Sequence, residues 1–180
     1  MIDYKSHTSC SDKHNHIISI IPNNSLSYSY DGLYLSVVKL IELITYDDDR
    51  GFFREIFRFA EKFDNIAVGQ LSHSLVKGDV IKAWHGHVYQ SQWNYVVSGQ
   101  IKVVLYDDRK ESATYKETMV FVTEDDTEPL AYFFPPGVLH GYKCLKGPMQ
   151  VVYVTSGVYD LVILFCLIFI SSTQCKMLTL

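Results

Sequence analysis

The chain has 180 residues, a net charge of −4 and a pI near 5.9, with 48% hydrophobic and 14% aromatic residues. That length suits one domain with a sizeable core, and the acidic balance excludes the basic footprint of a nucleic-acid-binding protein. Cys10, Cys144, Cys166 and Cys175 show neither CxxC pairing nor the spacing of a disulfide framework, and the first residues lack the apolar stretch of a secretory signal, so a cytoplasmic location is expected.

Residues 1–31 are polar and read as a loose arm, with one short strand at 17–21 before Pro22. His14 and His16 fall in this arm and are expected to be solvated. Residues 32–160 read as the domain. Apolar or alternating runs recur at 33–44, 52–59, 67–75, 80–84, 89–97, 101–106, 118–122, 130–134 and 150–155. Turn signals separate them at 47–51, 77–79, 98–99, 107–108, 125–126, 135–137 and 146–148. Many short strands at regular spacing predict an all-β sandwich or barrel. Residues 52–63 fit a helix or a strand. The closing zone, 161–180, contains LVILFCLIFI at 161–170. Ten apolar residues are too few to span a bilayer, which needs about 17–25, so no membrane partner is expected. The run is expected to dock as a strand or to hang as a hydrophobic tail.

Two segments carry the chemistry. The run 79–109, DVIKAWHGHVYQSQWNYVVSGQIKVVLYDDR, sets His85 and His87 two residues apart, and 132–143, YFFPPGVLHGYK, brings His140 behind a Pro-Pro-Gly turn. Residues i and i+2 of a strand share a face. Three imidazoles therefore converge if both segments line one barrel. Groups that titrate near neutral pH inside an apolar pocket make a chemical site as well as a core.

DDDRGFFREIFR (47–58), KAWHGHVYQ, SGQIKVVLYD and PPGVLHGYK, in that order, resemble the dTDP-4-dehydrorhamnose 3,5-epimerase family and its cupin-like relatives over about residues 32–160. The resemblance implies a jelly-roll barrel, a homodimer that exchanges N-terminal strands, and no cofactor or metal. It implies inversion of stereocentres beside the 4-keto group of a nucleotide-linked 6-deoxysugar. By the same resemblance Arg50, Phe53 and Glu55 contact the nucleotide, often from the neighbouring subunit. His85 takes the place of the catalytic base and Lys82 that of an arginine three residues earlier. The PPGxxHG motif falls on Pro135, Pro136, Gly137, His140 and Gly141. The chain departs from the family in three places. The tyrosine acid falls on about Pro148, a phosphate-binding lysine falls on about Gln92, and the acidic partner of the histidine is replaced by the apolar run. The WHxH at 84–87 also resembles a subgroup in which it replaces GLHYQ.

The required chemistry narrows the roles. Removing a proton beside a ketone needs a base of pKa near 7, which His85 supplies. Inversion needs an acid on the other face, for which Tyr95, Tyr142 and Tyr153 are candidates. The enolate oxygen needs a donor or a positive charge, from Lys82 or a second histidine. Lys82 and His85 have opposite strand parity and share a pocket only across a bulge. With the nucleotide contacts that the resemblance implies included, the expected substrate-binding set is Arg50, Phe53, Glu55, Lys82, His87, Gln92 and His140. An alternative uses the same histidines in a metal-dependent cupin, in which His85, His87 and His140 are ligands and Gln92 stands where such sites carry a glutamate. A third reading is a non-catalytic nucleotide-sugar-binding module. Against these, Arg50 and Glu55 also fit a surface ion pair, Trp84 and Trp93 fit core or interface positions, and 47–49 fits a solvated turn.

Overall fold

The computed structural model describes residue 35 and residues 37–57, 68–127 and 129–158, together with the backbone of 164–166. The expected arm at 1–31 and most of the closing zone lie outside the described residues. Among the described residues every regular element is a strand: β1 Lys39–Glu42, β2 Thr45–Asp48, β3 Gly51–Arg54, β4 Gln70–Val76, β5 Ile81–His87, β6 Gln92–Asp107, β7 Thr118–Glu124, β8 Leu130–Phe134, β9 Val138–Thr155 and β10 Leu164–Cys166. No helix among them is long and apolar enough to cross a membrane.

Eight strands form one antiparallel sheet in the order β1-β8-β6-β9-β5-β10, with β4 also on β9 and β7 also on β6. The sheet curls into a cupin-like jelly-roll barrel, one of the two all-β architectures that the strand spacing allows and the one that the family resemblance implies. β6 and β9 are its spine and pair from Gln92↔Thr155 to Asp107↔Val138. β7 shows why such segments form strands. Met119, Phe121 and Thr123 are buried while their neighbours are half-buried, the period-2 pattern of a strand with one face on a core. β8 is buried at all five positions because it lies between β1 and β6. The main core joins Leu35, Leu40, Ile101, Leu105, Phe121, Phe134 and Met149. Trp93 is fully buried against Phe133, with ring centroids 4.9 Å apart, and Trp84 is 4% exposed beside Val104 and Leu139, so both tryptophans are core.

Two turn signals do not end strands. Residues 98–99 lie inside β6, where register shifts from Val96 to Ile101 mark bulges and Gly99 has φ +80°. Residues 146–148 lie inside β9, where the strand bends. Glycine and proline serve here to bend two long strands around the barrel, because each strand keeps its ladder partner on both sides of the irregularity. The signal at 47–51 is the β2–β3 hairpin, in which Asp48 faces Gly51. There Arg50 pairs with Asp48, not with Glu55. Residues 52–54 are strand, and 58–63 of the ambiguous segment lie outside the described residues.

Candidate active site

Inward-facing side chains of β4, β5, β6, β8 and β9 enclose a cavity of about 240 Å³. His85 and His87 enter it from one face of β5, as their i, i+2 spacing requires, and His140 enters from β9 at the position paired with His85. Gly86 between them is buried, and a Cβ there would come 2.5 Å from Leu139 Cδ2, so a side chain would require the end of the Leu139 side chain to move. The His140 ring lies 5.8 Å from that of His85, 5.4 Å from that of His87 and 4.4 Å from that of Phe134. Lys82 lines the same cavity, and the ladder shifts register between Lys82 and His85. The bulge that opposite parity demands is present. The Lys82 ammonium donates to Ser74 Oγ at 3.3 Å.

Burial sets the electrostatics. His85 is held below the usual imidazole pKa first by desolvation and then by His87 and Lys82. Desolvation also lowers His87, partly offset by its hydrogen bond to Gln92. His140, at the cavity floor, is pushed well below the usual value by burial and by the two other histidines. All three rings are therefore uncharged at neutral pH, and a neutral imidazole can accept a proton. Among the described residues no acidic side chain pairs with His85.

The rings are stacked or tilted at 28–35° to one another, and His87 Nε2 lies 3.1 Å from Gln92 Oε1. Among the described residues no three His, Cys, Asp or Glu side chains are placed to hold a metal ion. Gln92, in the position of a cupin glutamate, bonds one of the would-be ligands. The arrangement therefore does not fit the metal-cupin donor set.

The tyrosine candidates separate. Tyr142 and Tyr153 line the cavity; Tyr95 does not. Its hydroxyl donates to Asp125 and accepts from Arg54 beneath the β2–β3 hairpin, because odd-numbered Tyr95 faces away from the wall formed by Gln92 and Asn94. Pro148 is exposed at the bend of β9 and is not a cavity residue. Burial, aided by Tyr153 and Cys144, pushes the Tyr142 hydroxyl up to about 12. Arg50, Phe53 and Glu55 lie outside their own chain's cavity, on and just after the hairpin. Sequence reading misses Asn94, although its i+2 relation to Gln92 is visible in the chain. It also misses Gln70 and Ser74, whose strand is legible only as a generic apolar run.

Residues 33–167 match the sequence profile of the dTDP-4-dehydrorhamnose 3,5-epimerase family. The spore coat polysaccharide biosynthesis protein SpsL of Bacillus subtilis is 39% identical over 124 residues, which are 68% of this chain and 81% of that protein. Two solved structures share the fold. The Bacillus anthracis dTDP-4-dehydrorhamnose 3,5-epimerase with TDP and PPi bound superposes with TM-score 0.70 at 22% identity, over 81% of this chain and 88% of its own. The Legionella pneumophila dTDP-6-deoxy-D-glucose-3,5-epimerase in complex with dTDP-4-keto-L-rhamnose gives 0.71 at 22% identity, over 81% and 80%. With the family pattern spread over most of the chain and the histidine-lined barrel in place, this protein is an epimerase-type enzyme that belongs to the dTDP-4-dehydrorhamnose 3,5-epimerase family.

Proposed function

We propose that the protein inverts a stereocentre beside the 4-keto group of a dTDP-linked 6-deoxysugar, with His85 as the base. The observation that carries this reading is a cavity lined by three uncharged imidazoles and two tyrosine hydroxyls. The lone pair of His85 takes the proton from the carbon next to the ketone. The C–H electrons form a C=C bond, and the keto oxygen becomes an enolate. A hydroxyl proton then reaches the other face, the electrons return to carbon, and the ketone re-forms. Tyr153 suits the acid role. It comes from the second half of β9, beside Ser72 and Asn94 in the ladder, whereas Tyr142 shares the wall of Lys82 and His85. Lys82 is the cation at this cavity and suits the enolate oxygen or the diphosphate.

The active form in this reading is a cytoplasmic homodimer. The hairpin supports it: Phe52 and Phe53 are 56% and 66% exposed, a costly display unless a second copy covers them. Arg50, Phe53 and Glu55 would then meet the partner's nucleotide.

Deuterium incorporation from D₂O into dTDP-4-keto-6-deoxyglucose tests the reading. The parent should exchange, and His85→Asn should lose about 10²–10⁴-fold of the rate while still binding dTDP. Equal exchange in parent and variant would remove His85 from the mechanism. A parent that never exchanges with any dTDP-linked 4-keto sugar would leave a binding module.

A further inference from the structure

His87 begins a row of side chains that the proton transfers above do not use. His87 Nε2 lies 3.1 Å from Gln92 Oε1, and Gln92 Nε2 donates to Asn94 Oδ1 at 2.6 Å. Gln92 and Asn94 are 7% and 3% exposed, and both line the cavity. A carbonyl oxygen only accepts, so the His87 nitrogen that meets it carries the hydrogen. The row thus runs one way, from the imidazole N–H to the Gln92 carbonyl and from the Gln92 amide to the Asn94 carbonyl. It ends on Asn94 Nδ2, which is buried and has no hydrogen-bond partner among the described residues. A buried donor without an acceptor is unfavourable. An aliphatic residue at this position would close the same wall with no unmet donor. Asn94 lines the cavity, the side from which an acceptor on a bound ligand approaches this amide.

We propose that Asn94 is a specificity-determining residue, its Nδ2 donating to an oxygen of the bound sugar. The proposal rests on the dTDP-sugar reading given above. The donor is neutral and fixed in direction, which suits a hydroxyl or keto oxygen; a phosphate is better met by a cation. Its direction is set by the row behind it. Once Nδ2 engages the sugar, Asn94 Oδ1 stays on Gln92, the Gln92 carbonyl stays on His87, and His87 is held as the Nε2–H tautomer with the lone pair on Nδ1. A sugar that lacks the oxygen leaves the donor unmet, the situation in which hydrogen-bonding sites discriminate most strongly.

Calorimetric titration with dTDP and with dTDP-quinovose, a 4-hydroxy sugar nucleotide that cannot form the enolate, separates the sugar's contribution from that of the nucleotide. The parent should bind dTDP-quinovose more tightly than dTDP. Asn94→Val and the isosteric Asn94→Asp should each cut that ratio about tenfold, one hydrogen bond's worth, with dTDP affinity unchanged. In the sugar-bound parent, the ¹⁵N shifts of His87 should report the Nε2–H tautomer, and Asn94→Asp should preserve the fold by circular dichroism. A ratio that survives both substitutions, or a parent whose affinity does not grow when the sugar is added to dTDP, overturns the assignment to Asn94 alone. A parent that binds neither ligand overturns the dTDP-sugar reading and this proposal with it.

Discussion

Three histidines share one cavity, and burial more than any partner charge sets their protonation. A buried imidazole with no carboxylate partner stays neutral, and among the described residues His85 lies among rings and amides with no acidic side chain paired to it. Tyrosine roles can be separated by stereochemistry. If Tyr153 is the acid, Tyr153→Phe should lose inversion but still wash deuterium into the substrate with retention, since His85 can return a solvent-derived proton to the face it took one from. Tyr142→Phe should keep inversion. NMR of the sugar product distinguishes the two outcomes. Inversion by Tyr153→Phe at the parent's rate would transfer the role elsewhere. The positions of His85, His87 and His140 were legible from i, i+2 parity and the PPGxxH return. The sequence named Tyr95, Tyr142 and Tyr153 as candidate acids without ranking them; the structure sets Tyr142 and Tyr153 on the cavity wall and Tyr95 off it, because which face of a long strand meets the cavity depends on register and curvature.

At the scale of elements, the barrel depends on two long strands bent at defined points. Gly99 has φ +80°, and a Cβ there would lie 2.4 Å from the Lys146 carbonyl oxygen. Gly99→Ala should therefore cost about 2 kcal/mol or more, from the left-handed backbone and the backbone clash together. Urea unfolding would show it as a lower midpoint with the slope unchanged. A midpoint equal to the parent's would mean that the β6 bulge relaxes freely. Strand existence was readable from alternation in β7 and from the apolar run of β8. Strand length was not. A Ser-Gly or a Gly-Pro reads as a turn in one dimension, and only the ladder between β6 and β9 shows that pairing continues through it. The hairpin is anchored differently, by Arg54, which bonds Asp125 and Tyr95 and lies over Phe52. No local pattern announces a contact between residues so far apart in sequence.

The whole molecule couples its site to its stability. Each of the three cavity histidines has a folded pKa below its ordinary value of 6.5. The unfolded chain therefore binds more protons, and stability rises with pH across that interval. The contribution is complete above about 6.5 and is lost as pH falls from there through the folded values. The thermal midpoint should drop between pH 7 and pH 5, and the double substitution His85→Asn, His87→Gln should make that drop smaller. A midpoint flat over this window would show that the rings are not buried as described. Asp107 acts in a separate window. Hydrogen bonds from Arg109, Ser112 and Thr114 hold its carboxyl below the usual range against burial, so its contribution is lost only at pH below about 4.

Composition and period by themselves determined that this chain makes an all-β sandwich or barrel, because alternation and turn chemistry are local properties of strands. The order of motifs determined the family, and parity determined that His85 and His87 face one way. Only the tertiary structure decided which distant groups complete the cavity. It set Gln92 and Asn94 behind His87, turned Tyr95 out and Tyr153 in, and brought His140 within 5.8 Å of both other rings. The reason is physical: a strand's sequence fixes the face on which a side chain lies, but register, bulges and curvature fix what that face meets.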